Sequence, residues 1–219
     1  MLELLLPQRC LGCGRSGVVV CAACLAGVHR LRPPLCERCG APTAWPVRRC
    51  AECTGRRIAF ASARAAVAYD ERVRRIVAGW KEHGLRRIAR TAAALVTEVV
   101  ARPDVDAITF VPPDRDRLLK RGHQPAARLA HELGVVWELP VRALLVRPRA
   151  SSRQRGASLT ERRMNVRGAF RADGPPRAVC LVDDVYTSGA TAAAAASALR
   201  QAGATEVCVV TLARTLRLR

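Results

Sequence analysis

Eight of the chain's ten cysteines lie between Cys10 and Cys53, in four pairs of one spacing: Cys10/Cys13, Cys21/Cys24, Cys36/Cys39 and Cys50/Cys53. No other feature narrows the fold as far. Two thiolates three residues apart on a tight knuckle can face one ion, and two such knuckles complete a tetrahedron. The stretch from Met1 to Cys10 lacks the order of a secretory signal, so a disulfide framework is not expected and the pairs read as metal ligands.

Glycine follows the first pair of each set (Cys13-Gly14, Cys39-Gly40), whereas Leu25 and Thr54 follow the others, which makes the segment an internal repeat. Joining neighbours predicts two zinc sites: Cys10, Cys13, Cys21 and Cys24, then Cys36, Cys39, Cys50 and Cys53. Spacing alone leaves interleaved ligation, a single zinc and an iron-sulfur cluster open as alternatives. Four thiolates fill the coordination shell, so the sites are expected to be structural, stapling a segment too short to hold a core unaided. Chelation is then expected to unfold residues 1 to about 57 and leave the rest largely folded. Gly12, Gly14 and Gly17 spell a dinucleotide-binding fingerprint, but no strand precedes them, no helix pattern follows, and Cys13 is claimed by metal.

Beyond residue 57 apolar runs alternate with helical periodicity, as parallel βαβ units require. Strands are expected at 65–69, 107–111, 141–146, 178–182 and 207–212, with helices near 71–80, 85–101, 124–133 and 190–202. Ile88, Ala92, Leu95, Val96 and Val99 make one apolar stripe on the second helix, which Pro103 ends. A polar loop runs from Pro148 to Asn165. The expected fold class is α/β, a parallel sheet flanked by helices behind a small cysteine-rich domain, with domains at 1–57 and 58–219. The longest apolar runs are too short to span a bilayer, so no membrane span and a cytoplasmic location are expected.

Charge points to the partner. Lys and Arg number 37 against 18 acids, a net +19, and only Lys81 and Lys120 are lysines. Two four-thiolate zinc sites would lower this to about +15. A basic, arginine-rich chain suits an anionic partner, whether phosphorylated metabolite or nucleic acid.

The sharpest motif runs from Val179 to Thr191: an apolar run ends in Asp183-Asp184, then Thr187-Ser188-Gly189 turns into a helix. This puts two carboxylates at the carboxyl end of a parallel strand and free N–H groups at a helix start, where a phosphate monoester fits. Thr187, Ser188 and Thr191 add hydroxyl donors, and Gly189 permits close approach. An isolated pair of acids before a serine-capped helix would carry no such meaning.

The thirteen-residue stretch resembles the phosphoribosyl-pyrophosphate (PRPP) motif of type I phosphoribosyltransferases. Together with the four cysteine pairs, Tyr69, Trp80-Lys81-Glu82-His83-Gly84, Val111-Pro112-Pro113, Arg121-Gly122 and the 154–170 block, it is similar to the ComF competence family over nearly the whole chain. That resemblance implies a double zinc ribbon before a type I phosphoribosyltransferase fold. It assigns Asp183 and Asp184 to the ribose hydroxyls with Mg²⁺ nearby, and Thr187, Ser188, Gly189, Ala190 and Thr191 to the 5′-phosphate. Pro112, Pro113 and Arg121 join the same pocket. The arginine-rich loop, where ten arginines face two acids between Arg142 and Arg177, matches the family's flexible loop. Arg155 and Arg162 would there neutralise departing pyrophosphate. The chain departs from the family's usual Arg-Gly-Phe-Asn-Gln at His123-Gln124-Pro125, leaving His123 as a solvated side chain or a proton donor. The implied partners are PRPP, single-stranded DNA and DNA-uptake proteins.

Overall fold

The computed structural model describes residues 8–83, 87–113, 119, 122–148 and 168–216. A short helix α1 (Ala22–Ala26) lies within the cysteine-rich segment. Then come β1 (Ser62–Ala68), α2 (Glu71–His83), α3 (Arg87–Val99) and β2 (Ala107–Phe110). They are followed by α4 (Pro125–Trp137), β3 (Leu145–Val146), β4 (Arg171–Ala172), β5 (Ala178–Tyr186), α5 (Ala190–Gln201) and β6 (Glu206–Arg214).

The main sheet has the order β1-β6-β5-β2, and all its pairings are parallel. That is the arrangement expected of strands separated by helices. Its strands are almost wholly apolar because both faces are covered. On one face Trp80, Ile88, Val96, Leu129 and Leu133 pack against Val182 and Val210. On the other, Leu199 and the alanines of α5 share a cluster with Val179, Leu181, Phe60 and the buried Cys36, Cys39 and Cys53.

The cysteine-rich segment also seals the sheet's edge. Residues 29–31 pair antiparallel with β1, through Leu31 N–H to the Ala66 carbonyl at 2.9 Å and Ala68 N–H to that of His29 at 2.8 Å. Ala63 N–H donates to the Arg38 carbonyl at 2.9 Å further along. An edge that would otherwise offer unpaired groups to another chain is thereby occupied.

Differences from the sequence expectations are local. Strand β5 runs four residues past the expected end at 182, because Asp183 to Tyr186 keep pairing with Thr211 to Arg214 of β6. The expected strand at 141–146 survives as β3, with Val141 bridging to Ile108 alone. Helix α4 extends to Trp137, whose ring is buried, and stops where Glu138 takes φ 53°. Among the described residues, no helix is long and apolar enough to cross a membrane.

Candidate functional site

The eight cysteines gather as the neighbour pairing predicts: Cys10, Cys13, Cys21 and Cys24 in one cluster, and Cys36, Cys39, Cys50 and Cys53 in another, with each cluster's sulfurs within 4.8 Å of one another. Tetrahedral zinc with Zn–S bonds of about 2.3 Å sets sulfurs about 3.8 Å apart. Sulfur separations of 3.7 Å for Cys13/Cys21 and Cys36/Cys53, and 3.5 Å for Cys39/Cys50, fit that shell.

Proton affinities split in the same way in both clusters. Burial raises the Cys10 thiol, but the N–H groups of Cys21, Cys13 and Gly12 outweigh it and bring the pKa down to about 6. Cys24 is pushed up to about 12, first by burial and then by its thiol neighbours. In the second cluster, burial of Cys36 is outweighed by the N–H groups of Cys39, Cys50 and Arg38, to about 7, while burial drives Cys39 up to about 12. One sulfur in each cluster is thus readily ionised, while Cys24 in the first and Cys39 and Cys53 in the second resist, a conflict that a divalent cation relieves. The glycines of the false fingerprint serve this ribbon: a β-carbon at Gly12 would lie 2.7 Å from the Cys24 sulfur.

A cleft of about 260 Å³ opens at the carboxyl end of β5, lined by Asp183, Asp184, Val185, Thr187 and Thr191 together with Val111, Pro112 and Pro113. Asp183 and Asp184 sit in the extended end of β5, both partly buried. Desolvation and then the Asp184 charge push the Asp183 carboxyl up to about 7, against the pull of the Asp184 N–H, Lys81 and Arg147. Asp184 is paired with Lys81 Nζ at 2.8 Å. Two adjacent carboxylates therefore differ: one is held by a cation, the other is poised near neutrality.

Past Tyr186 the chain turns at Gly189, which has φ +74°. A β-carbon there would meet the Tyr186 hydroxyl at 2.2 Å, so glycine is required on two counts. The loop's carbonyls are engaged from behind. Thr215 donates its N–H to Tyr186 O at 3.0 Å and its hydroxyl to Thr187 O at 3.2 Å, and Arg56 Nη2 donates to Ser188 O at 2.6 Å. Ser188 does not line the cleft; its hydroxyl accepts from Ala190 N–H at 3.3 Å.

Arg121, Arg155 and Arg162 lie outside the described residues. His123 is partly exposed and does not line the cleft: its Nε2 lies 2.8 Å from the Trp80 carbonyl, fastening the turn before α4 to α2. Sequence reasoning did not assign Lys81 to this site, although a lone lysine in an arginine-dominated helix was a signal. It also passed over Arg147, which donates to the Pro112 carbonyl at 2.8 Å and stacks on Phe170 at 4.3 Å.

Comparison with known proteins agrees with this architecture. The double zinc ribbon domain model matches residues 1–54. A DNA utilization protein YhgH from Salmonella typhimurium is 31% identical over 210 residues, covering 90% of this chain and 91% of that protein. Competence protein F from Haemophilus influenzae is 27% identical over 227 residues, covering 94% and 96%. Among solved structures, orotate phosphoribosyltransferase from Aeropyrum pernix matches 67% of both chains at 20% identity and TM-score 0.35. A purine phosphoribosyltransferase from Pyrococcus horikoshii matches 61% of this chain and 85% of its own at 19% identity and TM-score 0.31.

The cysteine clusters and the parallel sheet define a class: a double zinc ribbon carrying an α/β domain built on a parallel sheet flanked by helices. The two relatives from Salmonella typhimurium and Haemophilus influenzae match the chain almost end to end. The chain belongs to the ComF family.

Proposed function

We propose that this chain binds PRPP with Mg²⁺ in the cleft at the end of β5 and transfers phosphoribose to a nitrogen acceptor, releasing pyrophosphate. The observation that carries the reading is the convergence of Asp183, Asp184, Thr187 and Thr191 on one cleft that Pro112 and Pro113 also line. The acids would take the ribose hydroxyls, and the turn from Thr187 to Thr191 would receive the 5′-phosphate at the start of α5. Bound alongside, Mg²⁺ would neutralise the pyrophosphate. Arg121, Arg155 and Arg162 are proposed to meet the same leaving group. As the acceptor nitrogen bonds to the anomeric carbon, the bond to pyrophosphate breaks with its electron pair and the nitrogen gives up a proton. Thr187 stands where some purine-using relatives of the fold carry an acid, so no carboxylate base is assigned at that position.

Calorimetry with PRPP in the presence and absence of Mg²⁺ tests binding, and a screen for pyrophosphate release against amines and nucleobases tests transfer. One Mg²⁺-dependent site per chain is expected. No heat at millimolar PRPP would overturn the reading.

The names of the relatives favour a second reading, a DNA-handling protein that keeps the PRPP cleft as a ligand sensor. A groove of about 830 Å³ between the ribbon and α5, with Arg49, Arg56 and Arg57 in its lining, suits a single strand's phosphates. DNA-uptake proteins would then be its partners. Single-stranded DNA should bind with affinity falling steeply as salt rises. Salt-indifferent binding would reject this surface.

A further inference from the structure

Two arginines run from the second cysteine cluster to the back of the loop at 187–191, and neither lines the cleft. Arg56, three residues beyond Cys53, donates Nη2 to Ser188 O at 2.6 Å. Arg214 ends β6 and is 1% exposed. Its Nη1 donates to the Cys39 carbonyl, its Nη2 pairs with Glu52 Oε2 at 3.0 Å, and its guanidinium lies 5.0 Å from the Tyr186 ring centre. That ring also meets Phe60 edge-on at 6.3 Å, and its hydroxyl occupies the space beside Gly189. Cys39 and Glu52 lie on the two knuckles of one cluster, so their positions hold only while both knuckles are gathered.

From this we propose that Arg56 and Arg214 are positioning residues: they fix the loop at 187–191 from the second cysteine cluster, so that the loop's order, and with it phosphate affinity, depends on that cluster and not on the first. The dependence of loop order stands on geometry alone, whereas the effect on affinity rests on the PRPP reading above. Arg56 holds the Ser188 carbonyl from outside the cleft lining. Arg214 presses Tyr186 into the place that only a glycine at 189 leaves open.

Amide hydrogen exchange on the full, metal-loaded chain tests this without any ligand. The amide of Thr215, bonded to Tyr186 O, and that of Ala193, bonded to Gly189 O at 2.9 Å, report the loop. The amides of Ala107–Phe110 report global opening. Arg56→Ala should speed exchange at the two loop reporters about tenfold, the scale of one charge-assisted hydrogen bond, while leaving β2 and the zinc content unchanged. Arg57→Ala removes an equal charge from the neighbouring position and should leave the reporters unaltered. Cys50→Ser, in the second cluster, should loosen the loop at least as much as Arg56→Ala, and Cys13→Ser, in the first, should not. If Cys50→Ser does not fold, the two arginine variants still decide. Equal effects of Arg56→Ala and Arg57→Ala, or no effect of either, would overturn the proposal. Titration with PRPP and Mg²⁺ then separates the two ideas. A wild-type chain that ignores PRPP defeats the functional reading alone, whereas wild-type binding that Arg56→Ala leaves intact defeats the coupling to affinity.

Discussion

The two cysteine clusters share a ligand pattern and differ in what surrounds them. In the first, Cys10, Cys21 and Cys24 form a separate apolar cluster with Val20. It meets the rest of the molecule through Leu11 against Gly79, Arg72 donating to the Gly27 carbonyl, and Arg30 and Arg32 on Glu98 at 2.7 and 3.0 Å. In the second, Cys36, Cys39 and Cys53 lie in one apolar cluster with Phe60, Leu181 and Leu199. The first repeat's ligands stand in a cluster of their own, with Leu11, Val19 and Val20 packing on the core that includes Trp80, whereas the second repeat's ligands lie inside a core cluster. Ligand spacing therefore dictates how metal is held but not what the held segment supports.

This packing bears on the expectation that chelation unfolds only residues 1–57, because the second cluster's ligands lie among core residues of the α/β domain. The largest effect should come from Cys53→Ser, which breaks a wholly buried ligand in the shared core. Cooperative unfolding of the entire chain should be lost or shifted by more than about 4 kcal/mol. Cys13→Ser, at an exposed ligand, should release the first metal while the amides of β5 and β6 remain protected. Loss of that protection in both variants would erase the distinction.

Arg214→Ala comes next. Removing one partner of a buried ion pair leaves Glu52 without its cation and the Cys39 carbonyl without its donor, at a cost of about 3–5 kcal/mol. Denaturant titration should show it. A change below about 1 kcal/mol would mean that the second cluster and the sheet are joined by apolar packing alone.

A smaller effect of opposite sign is expected at Asp183. Its folded pKa of about 7 lies above the ordinary 3.8, so between these values the native chain holds a proton that the unfolded chain has lost. Stability therefore falls as pH rises through that window, and above it the ionised carboxylate is a standing penalty. Asp183→Asn should raise Tm at pH 8 by about 2–4 °C and give no gain at pH 4. A drop in Tm at pH 8 would show that the carboxylate supports the fold.

The cysteine spacing, the βαβ order and the acidic turn were legible because each is local: knuckles, periodicity and a strand-turn-helix junction are written in consecutive residues. Less legible were contacts closed by the fold. Lys81 reaches Asp184 across 103 positions and Arg214 reaches Glu52 across 162, and no spacing rule links them. Strand β5 was expected to stop at Val182 because two acids interrupt its apolar run, yet pairing with β6 carries it to Tyr186. The sealing of β1 by residues 29–31 had no local signal either, since that pairing joins a loop of the ribbon to a distant edge.

The most direct test of the central claim is PRPP calorimetry with Mg²⁺ on the wild-type chain and on a chain carrying Asp183→Asn together with Asp184→Asn. The wild type should bind at one site, and the double variant, folded and with full zinc content, should lose that binding, because the two carboxylates line the cleft. Unchanged affinity in the double variant would contradict the placement of PRPP on Asp183 and Asp184.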